Sequence, residues 1–351
     1  MNNLHHLALG AALATALAPA HAQERTMRAP EVDAREPDGA VRTPEGAVLD
    51  TSGDLAYDLS DLSEEQLTSP ARPLFRQDSM NVFRRFPPEA TAAMVRFYTE
   101  ALALRSLSPV QLTATQQMIL TGVGSGQIKL SAGQQGTRSY NLSGGVTGGT
   151  GIRYLVLTYP DPAMVRERFA AAGFAEPEFT RPGDGTISAL VEDPGGFPIL
   201  LMIDPEAQDR SDDGVGIGIG VADLEASRAF YRDFVGLDEL ESLTDGALDV
   251  TRYPYRHGET VIYLHEVEAG LARDTGSAGI QYVVSDAALV DAKGRHRGIA
   301  VETPLNRLRG FDLTTVWLND PDGVTNYFAQ VGPASRTAQQ EEASAGAPGG
   351  G

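Results

Sequence analysis

Side chains able to do chemistry are few in this chain, and the densest group lies on one short stretch. His257, Glu259, His265 and Glu266 could by type ligate a metal or trade a proton. Alternation along a strand puts His265 on the face of Val261 and Tyr263 and Glu266 on the other, so the four cannot converge. A solvated hairpin tip with a satisfied strand histidine is the stronger reading, ahead of a metal site. His296, between Arg295 and Arg297, reads as part of a basic loop after the last helix. With no cysteine there is no thiolate ligand, Cys nucleophile, disulfide or lipid-anchored cysteine. No serine elbow or H-E-x-x-H is present. The Gly144 to Gly151 stretch lacks the Gly-Lys-Ser/Thr of a phosphate loop and reads as a connector. Gly214 to Gly220 has a glycine at every second position, which suits a strand facing a cavity or a close neighbour.

The elements that must position such residues belong to more than one core. A length of 351 residues suits two domains with ends to spare, and 42% hydrophobic and 21% charged residues are globular values. A net charge of −19 with no Lys/Arg run argues against nucleic acid and anionic membrane surfaces as partners. Of the 28 basic residues only Lys129 and Lys293 are lysines, which reads as genome composition and carries no mechanistic weight. Residues 1–22 contain no acid and no Lys/Arg, and they run through an apolar stretch to Ala20-His21-Ala22. This is expected to be a secretory signal, cleaved after Ala22, which places the chain in the periplasm or outside the cell with no membrane anchor in the mature form. Residues 23–76 are expected to form a flexible arm or linker, draped over the first domain, and 333–351 a disordered tail.

Between these ends the sequence repeats itself. Phe97-Tyr98 recurs as Phe230-Tyr231, Gly151-Ile152-Arg153-Tyr154 as Gly279-Ile280-Gln281-Tyr282, and Asp193-Pro194-Gly195-Gly196 as Asp320-Pro321-Asp322-Gly323, at offsets of 133, 128 and 127. A constant order at near-constant offset means a duplicated domain. Each copy reads as two strand–helix–strands units. Asp223 and Asp161-Pro162 are helix starts and Gly236 and Gly173 helix stops. Strands are expected at 117–123, 127–130, 154–158, 186–191, 197–203, 215–221, 248–255, 260–267, 314–318 and 325–331. The expected domains are 77–205, with modules 77–140 and 150–205, and 212–332, with modules 212–270 and 277–332.

The run Asp223-Leu224-Glu225-Ala226-Ser227-Arg228-Ala229-Phe230-Tyr231-Arg232-Asp233-Phe234-Val235-Gly236-Leu237 resembles the D-L-x-x-S-x-x-F-Y-x-x-x-L-G helix of the vicinal oxygen chelate superfamily, the group of glyoxalase I, bleomycin-resistance proteins and extradiol dioxygenases. The two Asp-Pro-x-Gly turns resemble its closing hairpin, and the likeness covers roughly Met80 to Gln330. It implies an α+β fold in which paired βαβββ modules form two partly closed barrels. In many members a divalent metal sits at the base of the barrel, held by a His or Gln on each module's first strand and a Glu on its last.

This sequence departs from that pattern. The first-strand positions fall at Phe83, with Arg84 and Arg85 as register alternatives, and at Gly216, Tyr154 and Tyr282. The last-strand positions fall at Lys129, Leu200, Tyr263 and Tyr327. None is His, Gln or Glu, so no metal cofactor is expected, although a divalent metal is not excluded. The candidate ligand-binding residues are then Tyr263, Tyr282, Tyr327, Tyr154, Lys129 and Arg85, against the simpler reading of strand tyrosines as core packing. The expected function is binding of a small aromatic or oxygenated molecule in a barrel cavity. The alternatives are an enzyme of the family with an unconventional site, a lyase, isomerase or ring-cleaving dioxygenase, and a structural or interaction module. The oligomeric state is open.

Overall fold

The computed structural model describes residues 49–50, 57–111, 117–134, 138–182, 185–211, 213–308 and 313–332. The expected signal at 1–22, most of the arm and the tail at 333–351 lie outside the described residues.

Four modules follow one another. The first runs strand Asn81–Phe86, helix Thr91–Arg96 continued by Phe97–Ala101, then strands Arg105–Gln111, Gln117–Val123 and Gly126–Ala132. The second is Gly149–Tyr159, helix Pro162–Ala171, Ile187–Glu192 and Pro198–Ile203. The third is Gly216–Val221, helix Leu224–Arg228 continued by Ala229–Val235, Val250–His257 and Thr260–Glu266, with short strands Asp238–Glu239 and Leu243–Asp245 between. The fourth is Ala278–Val283, helix Ala287–His296, Val301–Leu308, Leu313–Asn319 and Thr325–Val331. Aspartates start the helices as their sequence suggests: the Asp161, Asp223 and Asp286 carboxylates accept the amides of Ala163, Ala226 and Leu289 at 2.9, 3.0 and 2.9 Å. His296 is the last residue of its helix rather than part of a loop beyond it, and its ring meets Glu64 at 3.2 Å.

In each module the last strand lies parallel beside the first, and modules join through their first strands, which run antiparallel. The partners are not those expected from chain order. The first module shares a sheet with the fourth, Val82 opposite Ile280, and the second with the third, Leu155 opposite Ile217. Both sheets are open paths of strands rather than closed barrels. The pairing differs from the 77–205 and 212–332 division because repeats fix the number of modules, whereas the choice of edge partner is a long-range matter that no local pattern encodes.

The first and second modules, and the third and fourth, are held together by their outer faces instead. In modules one and three the helix widens after its first turns to i→i+5 bonds, Leu102 N to Phe97 O at 2.9 Å and Gly236 N to Tyr231 O at 3.2 Å. The tyrosine of each Phe-Tyr pair then reaches the buried aspartate of the next module's hairpin: Tyr98 OH donates to Asp193 at 3.1 Å and Tyr231 OH to Asp320 at 2.9 Å. The two landmarks that recur together in the sequence are partners in one bond. Asp193 also receives Arg84 Nε and Nη2 at 2.8 and 2.9 Å, whereas Ile217 stands at the matching position of module three.

Residues 57–76 are a fixed strap rather than a flexible arm, and they lie over modules three and four, not over the first domain. Ala71 N bonds Phe234 O, Arg76 N bonds Val283 O and Ser285 N bonds Leu74 O. Phe75 stacks on Tyr282 with centroids 5.2 Å apart, and Lys293 Nζ binds Ser69 O and Oγ at 2.9 and 2.7 Å and Gln66 O.

Asp320, buried and without the arginine that Asp193 enjoys, has its carboxyl pushed up from 3.8 to about 7, burial being the main cause. The native state keeps a proton that the unfolded chain releases, so this group's stabilisation is complete below 3.8 and is lost as pH rises to about 7. Asp320→Asn removes that dependence. In denaturant titrations from pH 4 to 8, the variant is expected to gain on the wild type up to about pH 7 and to level off above it. A constant difference across that range would contradict the assignment.

Candidate functional site

Strand alternation sorts each sheet into an outer face under the helices and an inner face turned away from them. Val82, Arg84 and Phe86 point outward, so Arg84 belongs to the Asp193 bond, while Asn81, Phe83 and Arg85 point inward. On the inner face of the sheet shared by modules one and four, Phe83 lies opposite Lys129 and Tyr327 beside Gln281. Phe83 and Tyr327 meet edge to face at 5.6 Å, and Trp317 and Tyr327 at 5.2 Å. Cations border this aromatic wall. Lys129 Nζ is 5.5 Å and the Arg85 guanidinium 5.7 Å from the Phe83 ring, and Arg138 stands 5.2 Å over Trp317. Gln281 Oε1 accepts from Asn81 Nδ2 at 3.0 Å and from Lys129. Glu302 takes Arg138 at 2.9 Å and the Thr325 hydroxyl at 2.6 Å. Phe83, Lys129 and Trp317 remain partly exposed, so this face is not sealed. Burial pushes the Lys129 ammonium down to about 8 and the Tyr327 phenol up.

The inner face of the other sheet is filled. Tyr154, fully buried, lies flat across Gly218, where a Cβ would come within 2.0 Å of its ring. Arg252, ion-paired with Asp245, covers Tyr154 at 5.7 Å and Tyr263 at 4.9 Å. Leu200, Val156 and Val146 complete the packing. His265 bonds the Val146 carbonyl through Nε2 at 3.1 Å, and burial lowers its pKa to about 4, so the ring is neutral at physiological pH. The Tyr154 hydroxyl has no hydrogen-bond partner among the described residues, and burial raises its pKa to about 12. Beside this cluster, at the strand ends, a cavity of about 270 Å³ is lined by Asp213, Arg256, Glu259, the outer edge of Tyr263 and the glycine-rich strand of module three. It is open and polar.

The six candidate residues therefore fall into three places. Lys129, Arg85 and Tyr327 come together, Tyr154 and Tyr263 share the filled face, and Tyr282 lies on the outer face. There Tyr282 stacks on Phe75 and Phe328 and donates to Asn326 at 3.0 Å. The Gly-Ile-x-Tyr match equated Tyr282 with Tyr154, but a bulge at Arg153 inserts one residue and reverses the alternation in module two alone. Gln281 is consequently the inward residue of module four, a donor type the family uses that sequence reading had excluded. Asn81, Trp317, Arg138, Glu302 and Arg252 were also missed. Their only signal is strand alternation around residues already singled out, or, for Arg138, none.

The donors do not make a site for a divalent cation. On the first sheet the amide oxygen of Gln281 already faces an ammonium, and on the second the single imidazole lies beside Arg252. No group of three or more His, Asp or Glu side chains able to hold a metal occurs among the described residues. His257 packs edge to face on Phe75 of the strap at 4.9 Å with its Nε2 2.6 Å from Gln77 O, and Glu259 accepts the Ser125 amide and hydroxyl at 2.7 and 2.9 Å, so both side chains have structural partners.

Residues 215–328 match the family described as Glyoxalase/Bleomycin resistance protein/Dioxygenase superfamily. Among solved structures, glyoxalase I from Zea mays is similar with TM-score 0.56 and 19% identity, covering 75% of this chain and 95% of that one. A protein of Bacillus subtilis subsp. subtilis str. 168 with a provisional dioxygenase description has TM-score 0.54 and 15% identity, covering 74% of this chain and 87% of that one. At such identities the likeness is one of fold. None of the curated proteins compared matches the sequence.

Gly218 exists to admit Tyr154. Gly218→Ala is expected to cost about 1–3 kcal/mol by overpacking. In a Tyr154→Ala background the same change is expected to cost almost nothing, because the opposing ring is gone. Additive costs in a denaturation cycle would show that the ring does not set the requirement for glycine.

Proposed function

We propose that this chain, whose residues 215–328 match the Glyoxalase/Bleomycin resistance protein/Dioxygenase superfamily, is an exported protein that binds a small aromatic carboxylate without a metal. The ligand lies on the inner face shared by modules one and four. The observation that carries this reading is the Phe83–Tyr327–Trp317 wall bordered by Lys129, Arg85 and Arg138. Three rings packed edge to face offer an apolar surface, and three cations, of which Arg138 is paired with Glu302, favour an anion. Such a local excess of positive charge in a chain of net charge −19 is selective by position rather than by the protein's overall field. The filled face of modules two and three suits a structural role, so one ligand per chain is expected.

Calorimetric titration with 4-(hydroxymethyl)benzoate tests the reading. The wild type should bind it, and should bind neutral 4-methylbenzyl alcohol at least about tenfold more weakly, since a hydrogen bond to a charged group contributes about 1.5–3 kcal/mol. Tyr327→Phe should weaken binding a few-fold, and Arg85→Gln by tenfold or more, with folding checked by circular dichroism. Equal affinity for the acid and the alcohol would refute an anion site. Stoichiometric Fe, Mn, Ni or Zn in protein purified without chelators or a His tag would refute the metal-free part.

A further inference from the structure

The chain's two lysines stand among 28 basic residues, so arginine is its default cation. Each lysine occupies a position where an ammonium or amine does something particular. Lys293 is saturated, its three N–H groups matched by Ser69 O, Ser69 Oγ and Gln66 O, and it ties the strap to the last helix. Lys129 is the opposite case. Among the described residues its Nζ meets a single acceptor, Gln281 Oε1, which Asn81 holds from the other side, and it also faces the Phe83 ring on a partly exposed surface. Once deprotonated, such an amine keeps one hydrogen bond and turns its lone pair to whatever lies on the wall. Arginine, always protonated, could supply the charge there but not this lone pair.

We infer that Lys129 captures its ligand as a Schiff base, so that the molecules taken by this face are aromatic aldehydes or ketones that also carry a carboxylate. The inference rests on the binding reading above and narrows it. Lys129 and Arg85 lie at 5.5 and 5.7 Å from one ring, Phe83. A ligand lying against that ring would present its carboxylate to the guanidinium and its carbonyl to the amine. The Nζ lone pair adds to the carbonyl carbon to give a carbinolamine. The C–O bond then breaks and the oxygen leaves as water with the two protons of the amine, as C=N forms. No oxidant, reductant or further reactant takes part, and the step reverses with water. Burial, which brings the ammonium down to about 8, makes the neutral amine accessible near physiological pH.

The probe is 4-carboxybenzaldehyde, given to the full chain with sodium cyanoborohydride and followed by peptide mass spectrometry. The reduced adduct is expected on the Lys129 peptide at least about tenfold faster than on the Lys293 peptide, and excess 4-(hydroxymethyl)benzoate should suppress it. Lys129→Arg should abolish that labelling, and Lys293→Arg should leave it intact. If 4-(hydroxymethyl)benzoate binds but Lys129 is labelled no faster than Lys293, covalent capture is wrong and the binding reading stands. If neither compound binds, both are wrong.

Discussion

A buried phenol-to-carboxylate bond is the constraint on which this architecture turns. Tyr98 to Asp193 and Tyr231 to Asp320 each join the helix of one module to the hairpin of the next, while the strands of those two modules lie in different sheets. The first and second modules, like the third and fourth, are thus fastened back to back. Their first strands are left to pair edge to edge with other modules, first with fourth and second with third. Asp193 further accepts the amides of Gly195 and Phe197, and Asp320 those of Asp322 and Val324, so the same carboxylate also shapes the turn. One residue fixes the hairpin, the helix above it and, through both, the separation of the sheets.

What the sequence made legible follows from the range of each interaction. Helix starts at Asp161 and Asp223, the stop at Gly236 and the tight Asp-Pro-x-Gly turns are local, and they stand where the residues placed them. The last-strand positions Lys129, Leu200, Tyr263 and Tyr327 all face inward, because an uninterrupted strand keeps its parity. Two kinds of information were out of reach. Edge pairing depends on contacts some 200 residues apart, such as Asn81 with Gln281. The bulge at Arg153 depends on three loop carbonyls, those of Asn141, Ser143 and Gly145, which capture its guanidinium at 2.6–3.0 Å. One inserted residue separated the fates of Tyr154 and Tyr282, which the sequence presented as equivalents.

Duplication has left the two inner faces unequal, and glycine accounts for much of the difference. In module three Gly216, Gly218 and Gly220 present no side chains inward, so the ring of Tyr154 can cross the strand and be covered by Arg252. The matching strand of module one carries Asn81, Phe83 and Arg85 instead. Those side chains stand away from the sheet and build a wall rather than a plug. The filled face gains packing and loses room; the other keeps polar and aromatic groups at the edge of solvent, which a stability-driven core would not retain.

The charge distribution bears on how that wall can act. A chain of net charge −19 repels anions at long range, so the cations near Phe83 must work at contact distance. There the weak local dielectric helps them: two unit charges about 4 Å apart attract by about 4 kcal/mol at an effective dielectric of about 20, against about 1 kcal/mol in water. Arg85 is buried, and Lys129 is partly exposed, so desolvation of the two is already partly met in the folded protein before a ligand arrives. That same desolvation keeps the Lys129 ammonium loosely held. Charge recognition and amine chemistry on this face therefore come from one physical cause, a lysine set on an apolar wall with a neutral amide as its hydrogen-bond partner among the described residues.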